Sequence, residues 1–379
     1  MISPRRLITA TTAGVRWRLR RWISGPKSEQ RARLAFEKER VLANLRTTPD
    51  FFPMKLDVEH NVLDFVQMSR ESFRQSVFLD NRAVRSGPRT LSAELTQLQL
   101  LSVQPERPLH FVLHGAFCGS TLLARYLEEL PHCFVLKEPL LLGQLAGLKN
   151  NGPGTRESDL WDDWFKMTMV LLSRAYPSDA AVIVKAPDRC NWMGRLLLDH
   201  DGRTKIVFLS SPLKVFLLQA LKADDRRKWV REQLLRLKYS RAQVPFLSEI
   251  AVTELSDGKC AAALWLLNSF LCDILLARRD SNRVFLLNGE DLICQPQHVS
   301  CAIANFFGLT SDEATRAALA TFRPLPHHSK DRRRPYDAAA RARELDDAEA
   351  RCSIELHAAM RWASLVSDGW LSRSPFPVE

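Results

Sequence analysis

The stretch His110-Phe-Val-Leu-His-Gly-Ala-Phe-Cys-Gly-Ser-Thr-Leu-Leu-Ala-Arg125 carries the clearest chemistry in the chain. An apolar run enters a glycine-containing turn and an amphipathic pattern leaves it, so a strand, a turn and a helix start are expected in that order. Backbone N–H groups at such a helix start converge on an anion. Gly119 admits close backbone approach, Ser120 and Thr121 add hydroxyl donors, and Cys118 precedes them. A Ser or Thr after glycine also caps helices that bind no anion, so the triplet alone leaves both readings open. A nucleoside-triphosphatase loop of the form G-x-x-x-x-G-K-[ST] places a lysine against the terminal phosphates, and no lysine occurs between Leu109 and Leu136. An ATPase or GTPase is therefore not expected, whereas a phosphate loop served by another cation is.

Further groups stand where apolar runs end. Glu138 is a candidate general base, or else a strand-end carboxylate paired with Lys137. Lys185 closes the run Ala181 to Lys185, the end of a strand at which open α/β sheets bind ligands. Cys118, near a helix N-terminus, is either a reactive thiol or a quiet replacement for serine. His114 reads as a packed histidine. Lys330, Arg332, Arg333 and Arg334 form either a binding cluster or a solvated loop.

The elements that must position these groups are legible in outline. Runs rich in Val, Ile, Leu and Phe at 109–113, 132–136, 181–185, 205–209 and 283–287 predict buried strands, with helical patterns between most of them. Leu122, Leu123, Tyr126, Leu127 and Leu130 share a face of the helix expected at 121–130. Alternating strands and helices imply a parallel sheet covered on both faces. Ser211 is expected to cap a helix with Pro212 at its first position. Asn150-Asn-Gly-Pro-Gly-Thr155 reads as a loop. The chain divides into a basic arm (1–50), an N-terminal helical region (51–108), an α/β core (109–309) and a C-terminal helical region (310–379).

The 379 residues are enough for a substantial core, and 46% hydrophobic with 26% charged residues excludes collagen-like, wholly disordered and polytopic membrane classes. The net charge of +11 suggests nucleic acid until it is located: residues 1–46 hold 12 Lys/Arg against 3 acids. That arm carries +9, the remainder is near neutral, and specific nucleic-acid binding is not expected. Residues 13–23 interleave Trp with Arg and read either as a solvated basic arm or, as a helix, as a segment suited to peripheral contact with an anionic membrane. An Arg-rich start also fits an organellar transit peptide. Cys260 to Ala277 is apolar enough to test as a membrane span, but Asp273 would cost about 2.5 to 3.5 kcal/mol there, which favours a core helix. Eight cysteines without a C-x-x-C pair argue against zinc and for reduced core thiols, hence a cytoplasmic location.

From the glycine onward, Phe117-Cys-Gly-Ser-Thr-Leu-Leu123 resembles the phosphosulfate loop of PAPS-dependent sulfotransferases, usually Arg/Lys-Ser-Gly-Thr/Ser-Thr-Leu-Leu. Three more stretches keep that family's order. Glu138 lies nineteen residues after Gly119, the spacing of the catalytic glutamate in tyrosylprotein sulfotransferases. Val184-Lys-Ala-Pro187 resembles the middle Lys-x-Pro turn. Asn288-Gly-Glu-Asp-Leu-Ile293, Pro296 and Ile303-Ala-Asn-Phe-Phe-Gly-Leu309 resemble the late segment.

The resemblance spans roughly 60% of the chain and implies a P-loop-type parallel sheet flanked by helices, with extra helical N- and C-terminal regions. It implies transfer of a sulfuryl group from PAPS to a hydroxyl or amine, leaving PAP. Glu138 and Lys185 would be catalytic, and Cys118, Gly119, Ser120, Thr121, Ser210, Ser329 and Lys330 would bind the cofactor. Catalysis would be mainly positioning and charge stabilisation, as in phosphoryl transfer.

The departures lie among the cations. Phe117 replaces the loop's basic residue, Ser210-Ser-Pro212 stands where the family has Arg-x-Pro, and Leu218 stands where it has a serine. Lys185, Lys214, Arg226, Arg227 and Lys330 are the candidate substitutes. Losing those cations is what a non-catalytic or regulatory protein of the same fold would show, which is the alternative reading; a nucleotide-dependent phosphotransferase, lacking its lysine, is a more distant one.

Overall fold

The computed structural model describes residues 45, 48–83, 90–99, 107–148, 160–277 and 281–378. The basic arm up to residue 44, with its stretch 13–23, and the loop 150–155 lie outside the described residues. The chain is first described in an antiparallel sheet, not in the helical region expected over 51–108. Strands β1 (Phe51–Asp57), β2 (Val62–Gln67) and β3 (Thr90–Glu94) pair in that order, with short helices α1 (Arg70–Gln75) and α2 (Leu95–Gln99). Two local features account for the difference. Pro53 lies in β1, and only an edge strand tolerates a residue without an N–H. Asn61 takes φ 57°, a left-handed turn conformation that asparagine accepts and that returns the chain into β2.

Next come β4 (Leu109–His114), α3 (Ser120–Glu128), β5 (Cys133–Lys137), α4 (Leu140–Leu148), α5 (Trp161–Leu172), β6 (Ala181–Lys185) and α6 (Gly194–His200). They are followed by β7 (Ile206–Ser210), α7 (Leu213–Leu221), α8 (Asp224–Arg236), α9 (Lys238–Ala242), α10 (Asp257–Leu276), β8 (Val284–Asn288), α11 (Gly289–Cys294) and α12 (Pro296–Phe307). The five strands expected from apolar runs are present within one residue of the expected bounds. They form a parallel sheet in the order β5-β6-β4-β7-β8. Successive side chains serve opposite faces: Phe111, Val184 and Phe208 enter one apolar core, and Val112, Ile183 and Val207 the other. Each face is covered, so charged groups are confined to the strand ends.

Helix α10 is long and apolar enough to cross a membrane, yet most of it is buried against α7, α8 and the last long helix. Its Asp273 accepts a hydrogen bond from Trp370 Nε1 at 3.0 Å. The C-terminal region holds α13 (Glu313–Ala320), a small hairpin of β9 (His327–His328) and β10 (Asp331–Pro335), and α14 (Ala338–Val366). Helix α7 starts at Leu213 with Pro212, not Ser211, as its cap. No cap side chain is needed there, because the Leu213 and Lys214 N–H groups donate to Pro377 O (3.1 Å) and Val378 O (2.9 Å). Of the eight free cysteines, Cys294 is exposed and Cys301 and Cys352 are half-buried, so three of the expected core thiols are not in the core.

One buried cation fastens the N-terminal sheet to the core. The Arg174 guanidinium donates to Phe51 O (2.7 Å), Thr48 O (3.1 Å) and Leu171 O (2.9 Å). Gln144 of α4 meanwhile completes the β1 ladder at Leu56, accepting at 2.9 Å and donating at 3.0 Å. Leu45, within the expected arm, is fully buried beside this clasp. Replacing Arg174 with Met leaves several buried carbonyls without donors, and should lower the unfolding free energy in urea by about 2 to 3 kcal/mol.

Candidate active site

The carboxyl ends of the parallel strands gather two clusters. The first is the turn between β4 and α3. Gly119 has φ 91°, which lets the turn close directly onto Ser120, and as the cap of α3 it brings no side chain of its own to the first N–H groups. Ser120 and Thr121 are largely buried and line a cavity of about 440 Å³, a volume that suits a nucleotide-sized ligand. A second backbone leans on this turn: a Cβ at Gly289 would lie 2.2 Å from Cys118 O, so only glycine fits there.

The turn departs from the expected chemistry at two residues. Cys118 Sγ donates to Gly115 O at 2.9 Å, and burial pushes its thiol up to about 12, which makes it a quiet packed residue rather than a nucleophile. Phe117 has φ 61°, strained for a bulky side chain. Its ring packs on Phe216 (5.8 Å) and Trp229 (5.4 Å) and lies under the Arg226 guanidinium at 4.8 Å. A cation thus stands over the residue that replaces one.

The second cluster joins β4, β5 and β6. Glu138, at φ 51°, also holds a left-handed backbone and donates its N–H to Lys185 O at 2.7 Å. That fold-back brings its carboxylate onto Lys185 Nζ, and His114 Nε2 stands 3.9 Å away. Burial pushes the Glu138 carboxyl up, but the Lys185 ammonium outweighs it and leaves the carboxyl below its usual range. His114 Nδ1 donates to Gly115 O (2.9 Å), so Nε2 is the unprotonated nitrogen. Burial, reinforced by Lys185, pushes its pKa down to about 4, and the ring is neutral at pH 7. Lys137 does not pair with Glu138; it joins Glu128 in a buried network with Arg125.

The two clusters meet at Lys330, in the turn between β9 and β10. It lines the large cavity beside Ser329 and also lines a second cavity of about 350 Å³ with Phe78 and Arg82. The Phe78 ring has three cations around it, Arg82 at 4.1 Å, Lys185 at 5.4 Å and Lys330 at 5.5 Å. Burial lowers the Lys330 pKa, and Lys185 lowers it further.

Gly119, Ser120, Thr121, Ser329 and Lys330 therefore share one cavity, which Glu138 and Lys185 do not line; Lys185 and Lys330 meet across the Phe78 ring instead. Ser210 is not brought there. It is buried behind the turn, its Oγ 3.2 Å from where a Cβ on Gly115 would stand, and it does not line the cavity. Of the candidate substitute cations, Arg226 and Lys330 line the cavity; Lys214 pairs with Glu349 (2.8 Å) and Arg227 with Glu355 (2.8 Å) instead.

Sequence reasoning missed the wall residues Lys222, Tyr336, Arg341 and Glu344 and, outside the wall but near enough to feel Glu138, Asp188. One signal was present, since Lys222 lies one helical turn beyond Leu218, where a cofactor-binding serine was sought.

No family model matches the chain, and no curated protein matches its sequence. Among solved structures, its fold is similar to a sulfotransferase from Alicyclobacillus acidocaldarius, at 16% identity, 70% of this chain, 98% of that one and a TM-score of 0.36. The sulfotransferase domain of the curacin biosynthetic pathway matches at 14% identity, 66% of this chain, 99% of that one and TM-score 0.35. A sulfotransferase from Mycobacterium tuberculosis H37Rv matches at 15% identity, 66% of this chain, 77% of that one and TM-score 0.37. Likeness at this level assigns no residue, and the site stands on its own geometry.

Two outcomes follow from that geometry. Gly289→Ala forces the turn at Cys118 to move, and should lower stability by about 1 to 3 kcal/mol and weaken anion binding in the same variant, read by thermal unfolding and calorimetry. Burial first, then Glu138, raises the Asp188 carboxyl to about 6 from its ordinary 3.8. An acid raised in the fold contributes stability at low pH and loses it as pH rises through about 6. Asp188→Asn should therefore be more stable than the parent at pH 8 by about 2 to 3 kcal/mol, with the gap closing by pH 4 in urea titrations.

Proposed function

We propose that this chain transfers the sulfuryl group of PAPS to a hydroxyl or amine acceptor. The observation that carries the reading is the Lys185–Glu138 pair at adjoining strand ends, with Lys330 of the cavity wall sharing the Phe78 ring with Lys185. Sequence motifs in the order of the PAPS-dependent sulfotransferases support it. The wall of the cavity suits PAPS: helix N–H groups and hydroxyls at Ser120 and Thr121, and cations at Lys222, Arg226, Lys330 and Arg334.

PAPS bound there would supply the sulfuryl group, with PAP as product. Gly119, Ser120 and Thr121 would hold a phosphate of the bound nucleotide. Lys185, drawn toward that anion, relaxes its hold on Glu138, whose carboxyl then rises toward an ordinary value and becomes a better base. Glu138 accepts the proton of the attacking hydroxyl, and Lys330 and Lys185 offset the negative charge that develops. The cavity beside Phe78, with Arg82 and Lys330 on its wall, would take the acceptor.

The opposing reading, a non-catalytic protein of the same fold, draws on the packed ring of Phe117 and the burial of Ser210. One experiment separates the two. With labelled PAPS and a panel of hydroxyl and amine acceptors, the parent chain should turn over and Glu138→Gln should be about 10²- to 10⁴-fold slower, with PAP affinity little changed. No transfer and no PAP binding by the parent would favour the non-catalytic reading, and full turnover by Glu138→Gln would make Glu138 structural.

A further inference from the structure

The wall of the large cavity contains a second anion hole that is already filled by a side chain of the protein. Glu344, early in α14, places its carboxylate among donors from three other elements. Lys222 Nζ, at the end of α7, donates to Oε2 at 2.6 Å, and Tyr336 OH donates to the same oxygen at 3.1 Å. Arg334 of β10 holds Oε1. Arg226 of α8 is near enough to feel Glu344, Tyr336 and Arg334, and it stacks on Phe117 of the glycine turn. All five side chains line the cavity, and those of Lys222 and Glu344 are only 15% and 28% exposed.

The charges in this hole do not balance. Glu344 directly meets Lys222 and Arg334, and Arg226, its charge met in part by Asp225, stands beside them, so the hole keeps a positive excess that one carboxylate leaves unmet. A phosphomonoester carries nearly two negative charges and three strong acceptor oxygens, and suits such a set better than a carboxylate does. Glu344 also sits on a helix that enters the cavity from outside the α/β core, so it can withdraw without disturbing the sheet. The neighbouring pair Arg341–Glu290 is bidentate (2.8 and 2.5 Å) and closes on itself, so it leaves no comparable excess.

We propose that Lys222, Arg226, Arg334 and Tyr336 form a subsite for a second phosphate of a nucleotide, and that Glu344 occupies this subsite until the ligand displaces it. The proposal rests on reading the cavity as a nucleotide site. It returns to the site, from helices and a hairpin, the positive charge that Phe117 and Ser210 lack.

The test is calorimetry on the full chain with adenosine 3′,5′-bisphosphate, adenosine 5′-monophosphate and inorganic phosphate. The bisphosphate should bind at least about tenfold more tightly than the monophosphate. Glu344→Gln removes the competing charge and keeps the shape; it should tighten bisphosphate binding about three- to tenfold and leave the monophosphate unchanged. Lys222→Met should erase the preference for the bisphosphate. A thermal melt checks each fold, and Glu344→Asp, one methylene shorter, takes the place of Glu344→Gln if that variant does not melt cooperatively, with the same expected direction.

Equal binding of the two nucleotides by the parent, or unchanged or weaker bisphosphate binding by the Glu344 variant, overturns the subsite while leaving the nucleotide reading intact. Free phosphate binding as tightly as the bisphosphate also overturns it. If neither nucleotide binds any variant at millimolar concentration, the subsite and the nucleotide reading fall together.

Discussion

The sheet is buried on both faces, and that constraint organises the site. Residues inside β4 to β7 must be apolar, so a charge borne by these strands survives only where the strand ends and a partner is at hand. Lys185 is almost wholly buried at such an end and pairs there with Glu138. Glu138 reaches it only by adopting a left-handed backbone, which costs energy for a non-glycine residue and holds the carboxylate against one lysine. His114, neutral and fixed through Gly115, faces the same carboxylate. Removing either member of the Lys185–Glu138 pair would leave its partner unpaired.

The outer segments complete what the sheet begins. Phe78, from the N-terminal region, and Lys330, from the β9–β10 hairpin, meet over Lys185, so both ends of the chain contribute to the surface around the pair. Arg174 ties the N-terminal sheet to the core at one side. Pro377 and Val378 fasten the C-terminus to the start of α7 at another, and α14 lies along α7 and α10. These attachments hold Lys222, Arg226, Arg334 and Glu344 on one cavity wall although 122 residues separate the first from the last.

Much of this was legible in the sequence because it depends on local pattern. Five short apolar runs cannot be covered as helices and became the five parallel strands. Glycine before Ser and Thr marked the turn at the head of α3, and Asp273 inside an apolar stretch marked α10 as a core helix rather than a membrane span. Glu138 and Lys185 could be singled out because each ends an apolar run, the one place where a buried sheet admits charge.

The rest was decided by contacts between residues far apart, and no local pattern encodes those. The hairpin of β1 and β2 was hidden because Pro53 suits only an edge strand, and edge position is a property of the assembled sheet. Ser210 matched a motif position, yet packing against Gly115 buried it behind the turn. Arg226 was one of five candidate cations that no local pattern distinguished, Lys222 looked like an ordinary surface cation at the end of α7, and Glu344 like an ordinary acid of α14. What sequence alone determined is therefore the sheet, the turn and the charged strand ends, since periodicity and backbone chemistry are local. Tertiary structure alone decided which cations face the cavity and which carboxylate meets them, because electrostatic partnership depends on distance in space and not along the chain.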